Sequence, residues 1–335
     1  MSLHTGTITD AAPEAAFSTL LKSLVGGAGV QNWSFIENIP AGTGANQSGS
    51  ASFSVDVFKC AGSGADANDA ALDFYVGIPI GYSTTVLYLL FAESYNPTNK
   101  LFSGCVHNYT GRTGYMNVLA NGYCTYGTFN GSDERNAASI VGAGAHAQLT
   151  INTTGFDYWL ELNNNFLLLG IKAGATQKSI YWGLMDSLVD DSIGDSKPLV
   201  MWGNGVSISY ASGSFIHLPG IGEKTGEGGT YGAKLAGWTN DANLAVTNQA
   251  GYQDLWAADG VWVSRCMMYH GSDFNYSKTQ GNVRGLLKEE VLCFYYGGTV
   301  NIGDTMVIDD GDATPDTWVV MSNASTDNHY LIVRQ

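Results

Sequence analysis

The stretch Phe156–Gly174, FDYWLELNNNFLLLGIKAG, contains two apolar arms around a polar tip. In the first arm Phe156, Tyr158, Leu160 and Leu162 alternate with Asp157 and Glu161, which is the period-two pattern of a β-strand with one buried face. Trp159 breaks the polar side of that alternation. The second arm, Phe166-Leu167-Leu168-Leu169, has no polar side at all. Joined through Asn163-Asn164-Asn165, the arms predict a hairpin whose second face also needs a cover. Another sheet, a helix of the same chain or a neighbouring subunit each meets that need.

Working outward, the chain offers one convincing helix. In DAAPEAAFSTLLKSLVGG, Asp10 stands near the start and Pro13 in the first turn. Phe17, Leu20, Leu21 and Leu24 recur at three- and four-residue spacing, and Gly26-Gly27 ends the pattern. The expected helix, Pro13–Val25, lies on a sheet or docks on a neighbour. Nearly everything after it reads as strand. ASFSVDVFKC alternates, TVLYLLFA (Thr85–Ala92) is a short wholly apolar run, and GVWVSRCMMYH sets Trp262, Ser264, Cys266 and Met268 opposite Val263, Arg265 and Met267. SIYWGLM and PLVMWGNGVSISYAS read as strands split by glycines. TWVVMS and YLIVRQ form a closing strand pair. The fold class is therefore mainly β: antiparallel, sandwich-like sheets with one short N-terminal amphipathic helix. A small-residue stretch near residue 145 suggests two domains, 1–145 and 146–335, the second holding the Tyr-Trp hairpin and the C-terminal pair.

Composition narrows the function. Charged residues make up 13% of the 335-residue chain, about half the usual ~25%. With 18 Tyr, 8 Trp and 43 Gly, such a chain suits sheets, tight turns and large contact surfaces from which charge is excluded. The net charge of −15 repels nucleic acid and anionic membranes. The N-terminus shows no basic segment followed by an apolar run, and no stretch approaches the ~20 apolar residues of a membrane helix. Cys60, Cys105, Cys124, Cys266 and Cys293 include no short metal-binding pair and read as buried thiols of a reducing compartment. Cys105 and Cys124 are also compatible with a bond across a hairpin.

A search for chemistry returns little. Gly142-x-Gly144 and Gly220-x-Gly222 lack the third glycine and the strand-turn-helix setting of a dinucleotide site. The six histidines are scattered, without a helical metal pair. Asp190, Asp191 and Asp195 form one acidic cluster, and Asp309, Asp310, Asp312 and Asp316 another. Neither has the EF-hand register. The second fits a hairpin turn between two strands. Calcium binding or a glycosidase carboxylate pair remain as alternatives for these clusters. No catalytic residue, cofactor or metal is assigned. The candidates are interaction residues: Trp159, Phe166, Leu168, Trp202 and Trp238, suited to subunit contact or to stacking on sugars.

Several segments resemble a family of tailed-bacteriophage virion proteins, tail or baseplate structural components. The resemblance rests on Thr5-Gly6-Thr7, Leu20-Leu21-Leu24 and Trp33 near the N-terminus. In the centre it rests on Tyr158-Trp159, Asn163-Asn164-Asn165, Phe166–Ile171 and Tyr181-Trp182-Gly183. Towards the end it rests on Gly303-Asp304-Thr305, Trp318-Val319-Val320, Tyr330 and Arg334. The chain departs from the family at Phe166-Leu167, where the family often carries an arginine, and in a reduced Pro-rich middle. The resemblance implies a non-enzymatic assembly role in the virion, with copies of itself and other virion proteins as partners and with neither nucleic acid binding nor membrane insertion. A glycan-binding host-adhesion module and a capsid decoration protein are the alternatives.

Overall fold

The computed structural model describes residues 3–9, 11–28, 30–40, 54–62, 72–81, 86–92, 94–98, 100–105, 114–118, 124–127, 146–150, 155–187, 199–203, 215–217, 233–236, 256–258, 261–270, 283–295, 300–308, 314–322 and 329–335. Among them, the first elements are β1 (Leu3–Ile8), α1 (Pro13–Leu24), β2 (Trp33–Ile39), β3 (Ser54–Gly62), β4 (Leu72–Ile80) and β5 (Val86–Ala92). Next come β6 (Ser94–Asn96), β7 (Leu101–Cys105), β8 (Gly114–Val118), β9 (Cys124–Gly127) and β10 (His146–Thr150). The central hairpin and its return are β11 (Phe156–Leu162), β12 (Phe166–Ala173) and β13 (Thr176–Ser187). They are followed by β14 (Leu199–Gly203), β15 (Phe215–His217), β16 (Ala233–Ala236), β17 (Trp256–Ala258), β18 (Val261–Arg265) and β19 (Met267–His270). The last are β20 (Val283–Leu287), β21 (Val291–Tyr295), β22 (Thr305–Ile308), β23 (Asp316–Val320) and β24 (His329–Arg334). The fold is mainly β, with antiparallel sheets in a sandwich-like arrangement and a single short helix.

Three layers stack face to face. The outer N-terminal sheet runs β10-β5-β4-β3-β2. The middle sheet runs β1-β11-β12-β13-β20-β19-β16, with β14 and β15 attached beside β13. The third runs β17-β18-β21-β24-β23-β22. Its end strands, β17 and β22, come within 8 Å of each other, so this sheet rolls towards a barrel. A fourth sheet, β6-β7-β8-β9, adjoins β4 and β5.

Alternation along β11–β13 explains the stacking. Phe156, Leu160 and Leu162 share a face with Leu167, Leu169, Ile171, Ile180 and Trp182, and that face packs on the N-terminal sheet. Trp182 lies edge-on to Phe74 at 5.8 Å and tilted against Phe91 at 5.0 Å, the edge-rich geometry that aromatic quadrupoles favour. The opposite face, Trp159, Phe166, Leu168 and Tyr181, packs on Cys293, Met321, Leu331 and Val333 of the C-terminal barrel. The cover on the second face is thus another sheet of the same chain. The barrel keeps its own interior, built from Leu292, Phe294, Ile308, Trp318, Val320, Tyr330 and Ile332.

Helix α1 plugs one end of the sandwich. Pro13 occupies the first turn, where its missing N–H has no partner to lose, and Phe17 and Leu21 bury one turn apart. The buried stripe is not purely apolar. Ser18 donates to Asp56 Oδ2 at 2.6 Å, Lys22 Nζ stands 2.7 Å from the same oxygen, and Asn38 donates to Oδ1 at 2.8 Å. Asp56 is 3% exposed, so these donors replace its lost water. Glu14 accepts from the Gly81 N–H at 2.8 Å.

Two sequence readings change. GVWVSRCMMYH is not one strand: it breaks at Cys266, sending β18 into the barrel and β19 into the middle sheet. The Leu287 N–H donates to the Cys266 carbonyl at 2.8 Å, and the neighbouring segment breaks at the same level, with β20 in the middle sheet and β21 in the barrel. A continuous apolar run reads alike whether it stays in one sheet or switches between two. Conversely, Gly183 does not split its strand. A Cβ there would lie 2.4 Å from Phe166 Cα, so the glycine permits a close crossing of two backbones while β13 runs on. Strands on either side of residue 145 pair with each other: β10 joins β5 and β1 joins β11. In backbone register Cys105 is paired with Gly114 and Cys124 with Val118, on opposite edges of β8.

Candidate functional site

The polar tip of the opening hairpin does not project into solvent. Asn163 Oδ1 accepts from the Asn165 and Phe166 N–H groups at 2.8 and 3.0 Å, which closes the turn on itself. The Trp33 indole donates to the Asn163 carbonyl at 2.6 Å, and Asn32 holds Asn164 through both its backbone and its side chain. Three consecutive asparagines fit because each supplies donors and acceptors to a crowded junction.

The seam between the middle sheet and the barrel is the most unusual environment among the described residues. Gly170 makes it close: a Cβ there would lie 2.8 Å from the Met321 carbonyl oxygen and 2.9 Å from Ile302 Cγ2. Gly303, at φ +92°, sits against the Trp159 ring. Gln177 fastens the same edge, donating to Asn301 at 2.7 Å and accepting from the Ile302 N–H at 2.6 Å. At the other end Asp186 of β13 pairs with Arg265, and with Lys288 Nζ at 2.6 Å. Lys288 is 5% exposed, so Asp186 supplies the countercharge that lets an ammonium group enter the seam.

Glu161 lies in this seam, on the face shared by Trp159 and Leu168 and beside Leu3 of β1. It is 0% exposed. Neither of its carboxyl oxygens has a hydrogen-bond partner among the described residues, and Glu290 Oε2 in the turn before β21 lacks one too. Burial pushes the Glu161 carboxyl up to about 7; the amino terminus opposes the shift, and Glu290 adds to it. Tyr181, wholly buried beside this turn, donates to the Leu184 carbonyl at 2.5 Å, and burial raises its phenol. A carboxyl poised near neutrality resembles a general acid or base. Its complete burial nonetheless keeps substrate out in this conformation, leaving proton uptake and release as its available chemistry.

The residues singled out from sequence do not form one surface. Phe166 and Leu168 are 0% exposed and pack on the chain's own barrel. Trp159 is partly buried against the same core. Trp202 sits in β14, opposite Tyr181 and Ile216, and its side chain lies outside the described set. Trp238 lies outside the described residues, as do Asp190, Asp191, Asp195, Asp309, Asp310 and Asp312. Asp316, the remaining acidic residue, pairs with Arg334 across β23 and β24. Among the described residues, the exposed large apolar side chains are Phe35 and Ile36 on β2, which ends the pairing order of its sheet, and Val307 on β22, whose strand lies close to β17. Sequence reasoning missed Glu161 and Glu290. The available signal was an ionisable residue on the same strand face as Trp159, facing an all-apolar partner strand.

Among the described residues, no group of three or more His, Cys, Asp or Glu side chains converges to hold a metal, and no helix is long and apolar enough to cross a membrane. No protein-family model matches this chain, and no curated protein is significantly similar to it.

Proposed function

We propose that the protein is a non-enzymatic structural component of a tailed-phage virion, in the tail or baseplate, acting through contacts with copies of itself and with other virion proteins. The observation that carries this reading is the placement of exposed apolar side chains. The inner faces of three fused layers are filled by the chain itself, while Phe35 and Ile36 remain outward on the end strand β2. An end strand with exposed apolar residues is suited to pairing with another chain. The sequence segments that resemble tail and baseplate proteins supply the context.

Native mass spectrometry of the purified protein tests the proposal, alone and mixed with purified tail or baseplate proteins. A defined oligomer or a stoichiometric complex, weakened by Phe35→Asp with Ile36→Asp, is expected. A strict monomer that binds no virion component overturns it.

A further inference from the structure

We propose that Glu161 is a proton-operated latch on the seam between the middle sheet and the C-terminal barrel. Protonated, it is one neutral side chain in a closed apolar layer; ionised, it drives the two layers apart. The geometry carries this inference. A fully buried carboxyl with no donor on either oxygen among the described residues is tolerated when neutral and strongly penalised when charged. It sits where two independently built layers meet, so relief comes from opening that seam and not from unfolding a single core. The sandwich core on the other face of β11 is filled by different residues.

The surrounding groups set the direction. The amino terminus favours ionisation; from β1, Leu3 pairs with Glu161 and brings no charge, while His4 alternates to the opposite face. From β12, Phe166, Leu168 and Gly170 bring no charge. From β13 comes the Tyr181 phenol, itself held neutral by burial. The turn before β21 brings Glu290, whose charge opposes ionisation, and Lys288, which is committed to Asp186. Glu289 in the same turn is exposed. The barrel wall adds the Cys266 and Cys293 thiols, with that of Cys266 raised by burial.

In the closed seam Glu161 releases its proton near pH 7, against about 4.3 for a carboxyl in water. Closed protein therefore holds a proton that opened protein gives up. The stability of the seam is fully present below about pH 4.3, falls as pH rises, and is lost once pH passes the closed-state value. The inference stands apart from the virion reading, since it concerns the chain's own layers.

Amide hydrogen exchange and thermal unfolding of wild type, Glu161→Gln and Glu290→Gln between pH 5 and 9 test it. After correction for intrinsic exchange, wild-type protection in β11, β12, β20 and β21 is expected to fall on the order of a hundredfold between pH 5 and 8, most of it below pH 7, and to level off above. Protection in β3 and β4 is expected to stay level. Glu161→Gln should lack this step, and Glu290→Gln should move it to lower pH by removing a repulsive charge. A step that persists unchanged in Glu161→Gln overturns the latch. Should that variant fail to fold, Glu290→Gln decides: a step that stays in place or moves to higher pH overturns the proposal, and a downward move supports it.

Discussion

Alanine at Gly303 is a direct probe of how the barrel meets the central hairpin. A Cβ at this position would lie 2.3 Å from Trp159 Cζ2 and 2.6 Å from Cε2, well inside van der Waals contact. The backbone there has φ +92°, which costs an L-residue about 1 kcal/mol. Displacing a packed indole adds about 2 kcal/mol. Gly303→Ala should therefore destabilise the protein by about 3 kcal/mol. For a cooperative chain of 335 residues that corresponds to a melting point lower by about 4 °C. Trp159→Leu alone costs about 1–2 kcal/mol through lost packing. In the double variant the clash is gone and only the dihedral cost remains, so the two changes should couple by about 2 kcal/mol in the favourable direction. Urea unfolding followed by far-UV circular dichroism measures all four corners of the cycle without relying on the removed tryptophan. Additivity within about 0.5 kcal/mol would refute the claim that the barrel loop seats on Trp159.

Asp186→Ala strips the countercharge from Lys288 and should cost about 3 kcal/mol in urea unfolding; much of that loss should return when Lys288→Met is added. Asp56→Ala leaves Ser18, Asn38 and Lys22 without their shared acceptor, a loss of about 2–4 kcal/mol expected to appear in chemical denaturation with early fraying of α1. Deleting Leu331–Gln335 removes most of the strand that pairs with both β21 and β23. Near-UV circular dichroism should lose its fixed aromatic signal, and an unchanged melt would contradict the pairing. The rise of the Glu161 carboxyl from 4.5 to about 7 is worth about 3 kcal/mol. The difference in unfolding free energy between wild type and Glu161→Gln should therefore shift by about that amount from pH 5 to pH 8, with wild type losing ground as pH rises.

Much of the local structure was legible in the residues. The Pro13 start, the Phe17–Leu21 spacing and the Gly26-Gly27 stop delimit α1 within one residue of its expected end. The alternation of Phe156, Tyr158, Leu160 and Leu162 marks the face of β11 that meets the N-terminal sheet. Less was legible at the site. The three asparagines read as a polar tip, but not as one that Trp33 and Asn32, ~130 residues earlier, clamp; hydrogen-bond capacity is a property of the residues, but its partners are set by the fold. Cys266 marks a strand switch that hydropathy does not signal, because Val261–Val263 and Met267–Tyr269 on its two sides are both apolar.

What the sequence determined by itself was the class of the fold and the need of Phe166–Leu169 for cover on both faces, since a run with no polar side cannot remain against water. Only the tertiary structure decided that the cover is the chain's own C-terminal barrel and not a neighbour. It also decided that Glu161 is sealed beneath that barrel. Strand periodicity states which side chains share a face, while the burial of that face depends on which distant segment packs on it.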